Sequence, residues 1–199
     1  LKRLGILLSG RGSNFEAIAD NVAAGRLQAE IAAVISNREE ARGLQIARER
    51  ALPARCIPSK GVSRQEYDRR VVEELKTCGV ELVCLAGFMR LLSAEFCQAF
   101  SSRILNIHPS LLPAFPGLDA QKQALEHGVK VSGCTVHFVD EQLDAGPIIL
   151  QAAVPVLDDD TEATLSARIL EQEHRIYSEA IRIVLLEHWR IQDRRVVAW

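Results

Sequence analysis

Five near-continuous apolar runs of strand length constrain this chain most: LGILLS (4–9), AEIAAVIS (29–36), ARCIPS (54–59), VELVCLA (80–86) and RILNIH (103–108). They lack the in-out alternation of a sheet with one wet face, and fit strands covered on both faces in a parallel sheet. Segments of helical period separate them, at Asn14 to Gly25, Ala41 to Ala51, Ser63 to Cys78 and Ser93 to Phe100. Ser63 with Glu66 makes a capping-box pattern, and Gly25 and Gly79 are suitable helix stops. The β-α-β-α order predicts a doubly wound, mostly parallel α/β sheet.

Beyond the proline run of residues 109–117 the pattern changes. A helix from Ala120 to His127 leads to KVSGCTVHFV (130–139) and GPIILQAAVPV (146–156), two strand candidates expected as antiparallel additions in the carboxyl-terminal half. A long amphipathic helix from about Thr161 to Leu186 and a hairpin-like tail, HWRIQDRRVVAW, complete the chain. No repeat, low-complexity tract or linker divides it, so one domain over 1–199 is expected.

Charge and cysteine usage bound the partners. Lys and Arg number 24 against 26 Asp and Glu, a net charge of -2, so no global positive field favours nucleic acid. No apolar run approaches the ~20 residues of a membrane span, and the amino end runs from a short apolar segment straight into a glycine turn without a signal-peptide pattern. The five cysteines are scattered, with no C-x-x-C. Neither a disulfide framework nor a zinc site is suggested, and the expected location is cytoplasmic. Cys84 and Cys134 sit in apolar runs and are expected to fill core.

Three constellations carry chemistry. LLSGRGSN (7–14) joins a buried strand to a helix through a glycine turn, where backbone N–H groups and a helix N-terminus favour a phosphate; a plain tight turn is the alternative. Phe15 stands where the dinucleotide fingerprint needs Gly, and the Walker Lys is absent. ILNIHPSLLPAFPG (104–117) places Asn106 and His108 at i and i+2, leaving one face of a strand end, with Pro109, Pro113 and Pro116 behind them. Asn106 could donate to an oxyanion and His108 could move a proton; a hydrogen-bonded histidine beside an Asn turn is the alternative. VDEQLDAGPIIL (139–150) sets Asp144 on a tight turn, where it could face His108 or cap its own turn. Metal binding by His108, His137 and Asp144 is weaker, since no ligand spacing enforces it.

SGRGSN, LAGFMRLLS, LNIHPSLLPAFPG, GCTVHFVDEQLDAGPIILQ and EQEH, in this order over about Leu4 to Tyr177, resemble the glycinamide ribonucleotide transformylase (phosphoribosylglycinamide formyltransferase) family of the formyltransferase superfamily. The resemblance implies a Rossmann-like formyltransferase fold, glycinamide ribonucleotide and 10-formyltetrahydrofolate as substrates, no metal, and a monomer or homodimer. It implies catalytic roles for Asn106, His108 and Asp144, and a ribonucleotide site at Gly12, Ser13, Asn14 and Glu173. It surrounds the folate with Arg64, Met89, Arg90, Leu91, Leu92, Val139 and Asp140. The 1–100 half is expected to bind the ribonucleotide phosphate, and the 101–199 half to bind folate and catalyse. Asp119 and Gln121 stand in the segment where relatives carry a His, and Leu170 where some carry Lys, so a cationic phosphate contact there is either missing or supplied by Arg168. A formyltetrahydrofolate hydrolase and a non-catalytic phosphate-ligand module are the competing readings. The first needs no amine acceptor, and the second does not need the three catalytic residues together.

Overall fold

The computed structural model describes all 199 residues, Leu1–Trp199. Nine strands and six helices alternate as expected in a mixed α/β fold, and the chain divides into two compact units, Leu1–Asn106 and Ile107–Trp199. No helix is long and apolar enough to cross a membrane.

In the first unit, β1 (Lys2–Leu8), α1 (Ser13–Ala23), β2 (Ala29–Ser36), α2 (Arg42–Glu49), β3 (Ala54–Cys56), α3 (Arg64–Thr77), β4 (Leu82–Leu85), α4 (Ala94–Ala99) and the start of β5 (Ile104–His108) follow one another. The strands lie in the order β3-β2-β1-β4-β5, all parallel. Leu4, Ile6, Leu7 and Leu8 of β1 and the whole of β4 are buried, as continuous apolar runs require. Gly5 has a packing reason, because a Cβ there would come within 2.6 Å of the Leu75 side chain of α3. The ARCIPS run yields only three strand residues, with Arg55 exposed, because β3 is the edge of this order and has a partner on one side alone.

Strand order reverses between β1 and β4. In a doubly wound sheet that switch point leaves the loops after the two strands diverging around a crevice at the carboxyl ends, where ligands bind. Those loops are residues 9–12 and 86–93.

The second unit carries α5 (Ala120–Glu126), β6 (Val131–Phe138), β7 (Ile148–Pro155), α6 (Glu162–Leu185), β8 (Trp189–Gln192) and β9 (Arg195–Ala198). β6 and β7 are antiparallel, β9 runs parallel to β7, and β8 closes an antiparallel hairpin on β9. α6 packs on β6 and β7 through Leu165, Ile169, Ile176, Tyr177, Ala180, Ile181 and Val184, an i, i+4, i+7 stripe. Thr161 and Thr164 form a reciprocal capping box at its start. At α3 the capping box is half made: Ser63 accepts the Glu66 N–H, while the Glu66 carboxylate pairs with Arg69 and Arg70. Cys84 and Cys134 are fully buried, and burial pushes the Cys134 thiol up to about 12, as inert core residues require.

Candidate active site

The loop after β1 is built for close backbone approach. Gly12 is the N-cap of α1 at φ 79, and a Cβ there would lie 2.5 Å from the Gly43 Cα at the start of α2. Gly10 faces open space. No side chain caps the first turn of α1, which begins at Ser13 and Asn14, both half-buried, and carries Glu16. Ser9 is 2% exposed, although a serine beside a glycine turn carries no sequence signal of burial. Its hydroxyl donates to Asn37 Oδ1 at 2.6 Å and accepts the Met89 N–H at 2.9 Å, and its own N–H donates to the Gly87 carbonyl at 3.1 Å. The loops after β1, β2 and β4 are thereby tied together.

The loop after β4 presents Met89 (64% exposed) and Leu91 (56% exposed) on either side of Arg90. The Arg90 guanidinium lies 4.5 Å over the ring of Tyr67, a cation–π contact, and its Nε has no hydrogen-bond partner. Leu92 is half-buried, and Arg64 is exposed at the first position of α3. Two exposed apolar side chains flanking a cation that rests on an aromatic face suit a flat ring system with polar edges.

At the end of β5, Asn106 is half-buried and His108 is 5% exposed. His108 Nε2 lies 2.8 Å from the Phe115 carbonyl oxygen. A carbonyl only accepts, so Nε2 carries the proton in this pose and Nδ1 is the atom turned toward Asp144. The proline segment behind them is pinned by polar contacts: Ser110 Oγ donates to the Ala114 carbonyl at 2.6 Å, Thr135 Oγ1 donates to the Ser110 carbonyl at 2.7 Å, and the Leu112 N–H donates to Thr135 Oγ1 at 3.0 Å.

Asp144 Oδ2 stands 3.5 Å from His108 Nδ1 and accepts the Gly117 N–H at 2.8 Å, a contact 27 residues away in sequence. The carboxylate therefore reaches across to the histidine and to the far end of the proline run. Its backbone is left-handed at φ 49, a strained state for a non-glycine residue that concentrates at functional sites. Gly146 makes the turn possible, because a Cβ there would collide with the Phe138 carbonyl at the end of β6. His137 is 1% exposed, with Nε2 3.9 Å from Asp144 Oδ1, and burial lowers its pKa. β6 is buried on both faces from Ser132 to Phe138, so alternation along the strand carries no signal for His137. No group of three or more His, Cys, Asp or Glu is arranged to hold a metal ion.

Val139 is half-buried and Asp140 exposed, the latter accepting the Gln142 N–H at 2.8 Å. Glu173 is 7% exposed on α6, and its charge reaches Cys134 of β6. Arg168 is not a free phosphate cation: its guanidinium makes two bonds to Asp160, at 2.7 and 2.8 Å, and a third to the Pro155 carbonyl. Asp119 stands at the N-cap position of α5 at φ 55, makes no side-chain cap bond and is exposed.

The formyl transferase family profile matches residues 2–181. The chain belongs to this family. A crystal structure of glycinamide ribonucleotide transformylase 1 from Symbiobacterium toebii superposes with a TM-score of 0.97 at 54% identity, covering 100% of this chain and 94% of that one. The phosphoribosylglycinamide formyltransferase of Escherichia coli is 46% identical over 173 residues, 86% of this chain and 82% of that protein. The trifunctional purine biosynthetic protein adenosine-3 of Drosophila melanogaster is 49% identical over 187 residues; the match takes in 92% of this chain but only 14% of that protein's length.

Proposed function

We propose that this formyl transferase moves the formyl group of 10-formyltetrahydrofolate to the amine of glycinamide ribonucleotide, a step of purine biosynthesis, as one formyltransferase domain over 1–199 acting as a monomer or homodimer. The observation that carries the reading is the carboxylate of Asp144, which leaves its own turn to face His108 Nδ1 two residues beyond Asn106. Relatives named for this reaction align over most of the chain.

The amine lone pair attacks the formyl carbon, and the carbonyl electrons move onto oxygen. The Asn106 amide N–H would donate to that oxyanion. As it collapses, the carbon–nitrogen bond to the folate breaks, and the proton lost by the amine is matched by one gained by the folate nitrogen. With Nε2 on the Phe115 carbonyl, His108 acts as an electrostatic partner; to carry the proton, Nε2 must exchange that carbonyl for substrate. Asp144 would hold the ring through Nδ1 when that nitrogen also bears a proton, since a carboxylate accepts and does not donate. Gly12, Ser13 and Asn14 would hold the ribonucleotide phosphate at the start of α1, and Glu173 the ribose hydroxyls. Arg64, Met89, Arg90, Leu91, Leu92, Val139 and Asp140 would surround the folate.

Folate absorbance followed with and without glycinamide ribonucleotide tests the reading. Tetrahydrofolate release that depends on the amine is the expected result. Release without the amine would make the chain a hydrolase, and ribonucleotide binding without any release would make it a non-catalytic module.

A further inference from the structure

Asp68 is a charged residue on the wrong face of its helix. In α3 the buried positions are Tyr67, Asp68, Val71 and Leu75, so this carboxylate sits on the apolar stripe, 2% exposed, among charged residues that otherwise face water. Burying a carboxylate is costly unless it is bonded, and burial does raise the pKa of this one. Its Oδ2 accepts the Ser93 N–H at 2.6 Å, 25 residues away, while Oδ1 has no hydrogen-bond partner.

Ser93 is where the 86–92 segment ends: its hydroxyl accepts the Phe96 N–H and caps α4. The other end of that segment is held by Ser9, which bonds Gly87 and Met89. Between the two anchors stand Met89, Arg90, Leu91 and Leu92. The charges of Arg90 and Arg64, the two cations of the folate reading, both act on Asp68. Tyr67, its neighbour, carries Arg90 on its ring.

We propose that Asp68 is a positioning residue for the folate co-substrate, holding the 86–92 segment at its Ser93 end through the buried bond to the Ser93 N–H. This rests on the formyl-transfer reading of the site. Asp68 touches no substrate itself, and the binding geometry of the segment is set before the folate arrives, which lowers the ordering cost of binding.

The test measures a folate analogue and glycinamide ribonucleotide separately by calorimetry, in wild type, Asp68→Ala and Asp68→Asn, with hydrogen exchange at residues 87–93 alongside. Asp68→Ala should raise the folate Kd about tenfold, as for a lost charge-assisted hydrogen bond, and leave the ribonucleotide Kd within about twofold. Asp68→Asn keeps a neutral acceptor, and should raise the folate Kd about threefold. Exchange at 87–93 should quicken in the same order, with β1 and β4 unchanged. If the Ala variant does not fold, the Asn variant carries the same comparison. An unchanged folate Kd in a folded variant, or equal losses for both ligands, would overturn the proposal while leaving the formyl-transfer reading intact. Failure of wild type to bind the folate would overturn both.

Discussion

Asn106 and His108 come from β5 and Asp144 from the β6–β7 connection, and in the proposed reaction all three act on one formyl group. Removing the Asn106 donor in Asn106→Ala should cost about 10² to 10³ in kcat, the usual effect of one oxyanion donor, with binding less affected. Members of one unit are not additive, so Asn106→Ala with His108→Ala should lose much less than the product of the single losses. A steady-state double-mutant cycle checks this, and strictly multiplicative losses would separate the two residues. His137 sets a different expectation. Burial holds its folded-state pKa below the ordinary 6.5, against weaker opposing effects of the Phe138 carbonyl and Asp144. The unfolded chain therefore binds the proton first as pH falls, so the stability this neutral ring contributes is full above about 6.5 and is lost below it. Thermal unfolding followed from about pH 7.5 to 5 should show a falling Tm, and His137→Gln should flatten the slope. Identical slopes in both would remove His137 as the source.

Elements show what was legible and what was not. Strand runs, helix spans and the antiparallel additions could be read from hydrophobic period because burial on one or two faces leaves a direct trace in the order of residues. The anchors could not. Ser9 and Asp68 become buried only when loops after separate strands meet, and neither residue type signals that locally; the one trace was a charge at an apolar-stripe position of α3. Arg168 likewise could be placed near a phosphate by position in α6, but not known to be occupied by Asp160. Gly12 was legible as a required glycine, for a different reason from the one the structure provides: its left-handed φ and its contact with Gly43 demand it before any phosphate arrives. Gly12→Ala should thus cost about 1 to 3 kcal/mol of stability, while Gly10→Ala, with open space around it, should stay within about 0.5 kcal/mol. Denaturant unfolding separates the two; a Gly12→Ala as stable as wild type that fails only to bind ribonucleotide would return the glycine to the ligand. At the exposed start of α3, Arg64→Ala should raise the folate KM about two- to fivefold with kcat nearly intact, as for a solvent-screened ion pair. A collapse of kcat at unchanged KM would count against its place on the folate.

For the whole molecule, strand order explains why chemistry collects where it does. The reversal between β1 and β4 opens the carboxyl ends of the first unit to two loops, one with a helix N-terminus and one with exposed apolar side chains around a cation. In the second unit, the β6–β7 connection delivers Asp144 to His108. Family membership agrees with that arrangement, and relatives of very different length share the stretch, from a protein scarcely longer than this chain to trifunctional proteins of which it spans 14%. In the proposed reaction the formyl carbon passes to the ribonucleotide amine and not to water. The most direct measurement supplies 10-formyltetrahydrofolate labelled in the formyl carbon, with glycinamide ribonucleotide, and locates the label by mass spectrometry as tetrahydrofolate is released. The expected result is one labelled formyl on the ribonucleotide amine for each tetrahydrofolate, falling together in Asp144→Asn. Label recovered as free formate, at a rate indifferent to the ribonucleotide, would contradict it.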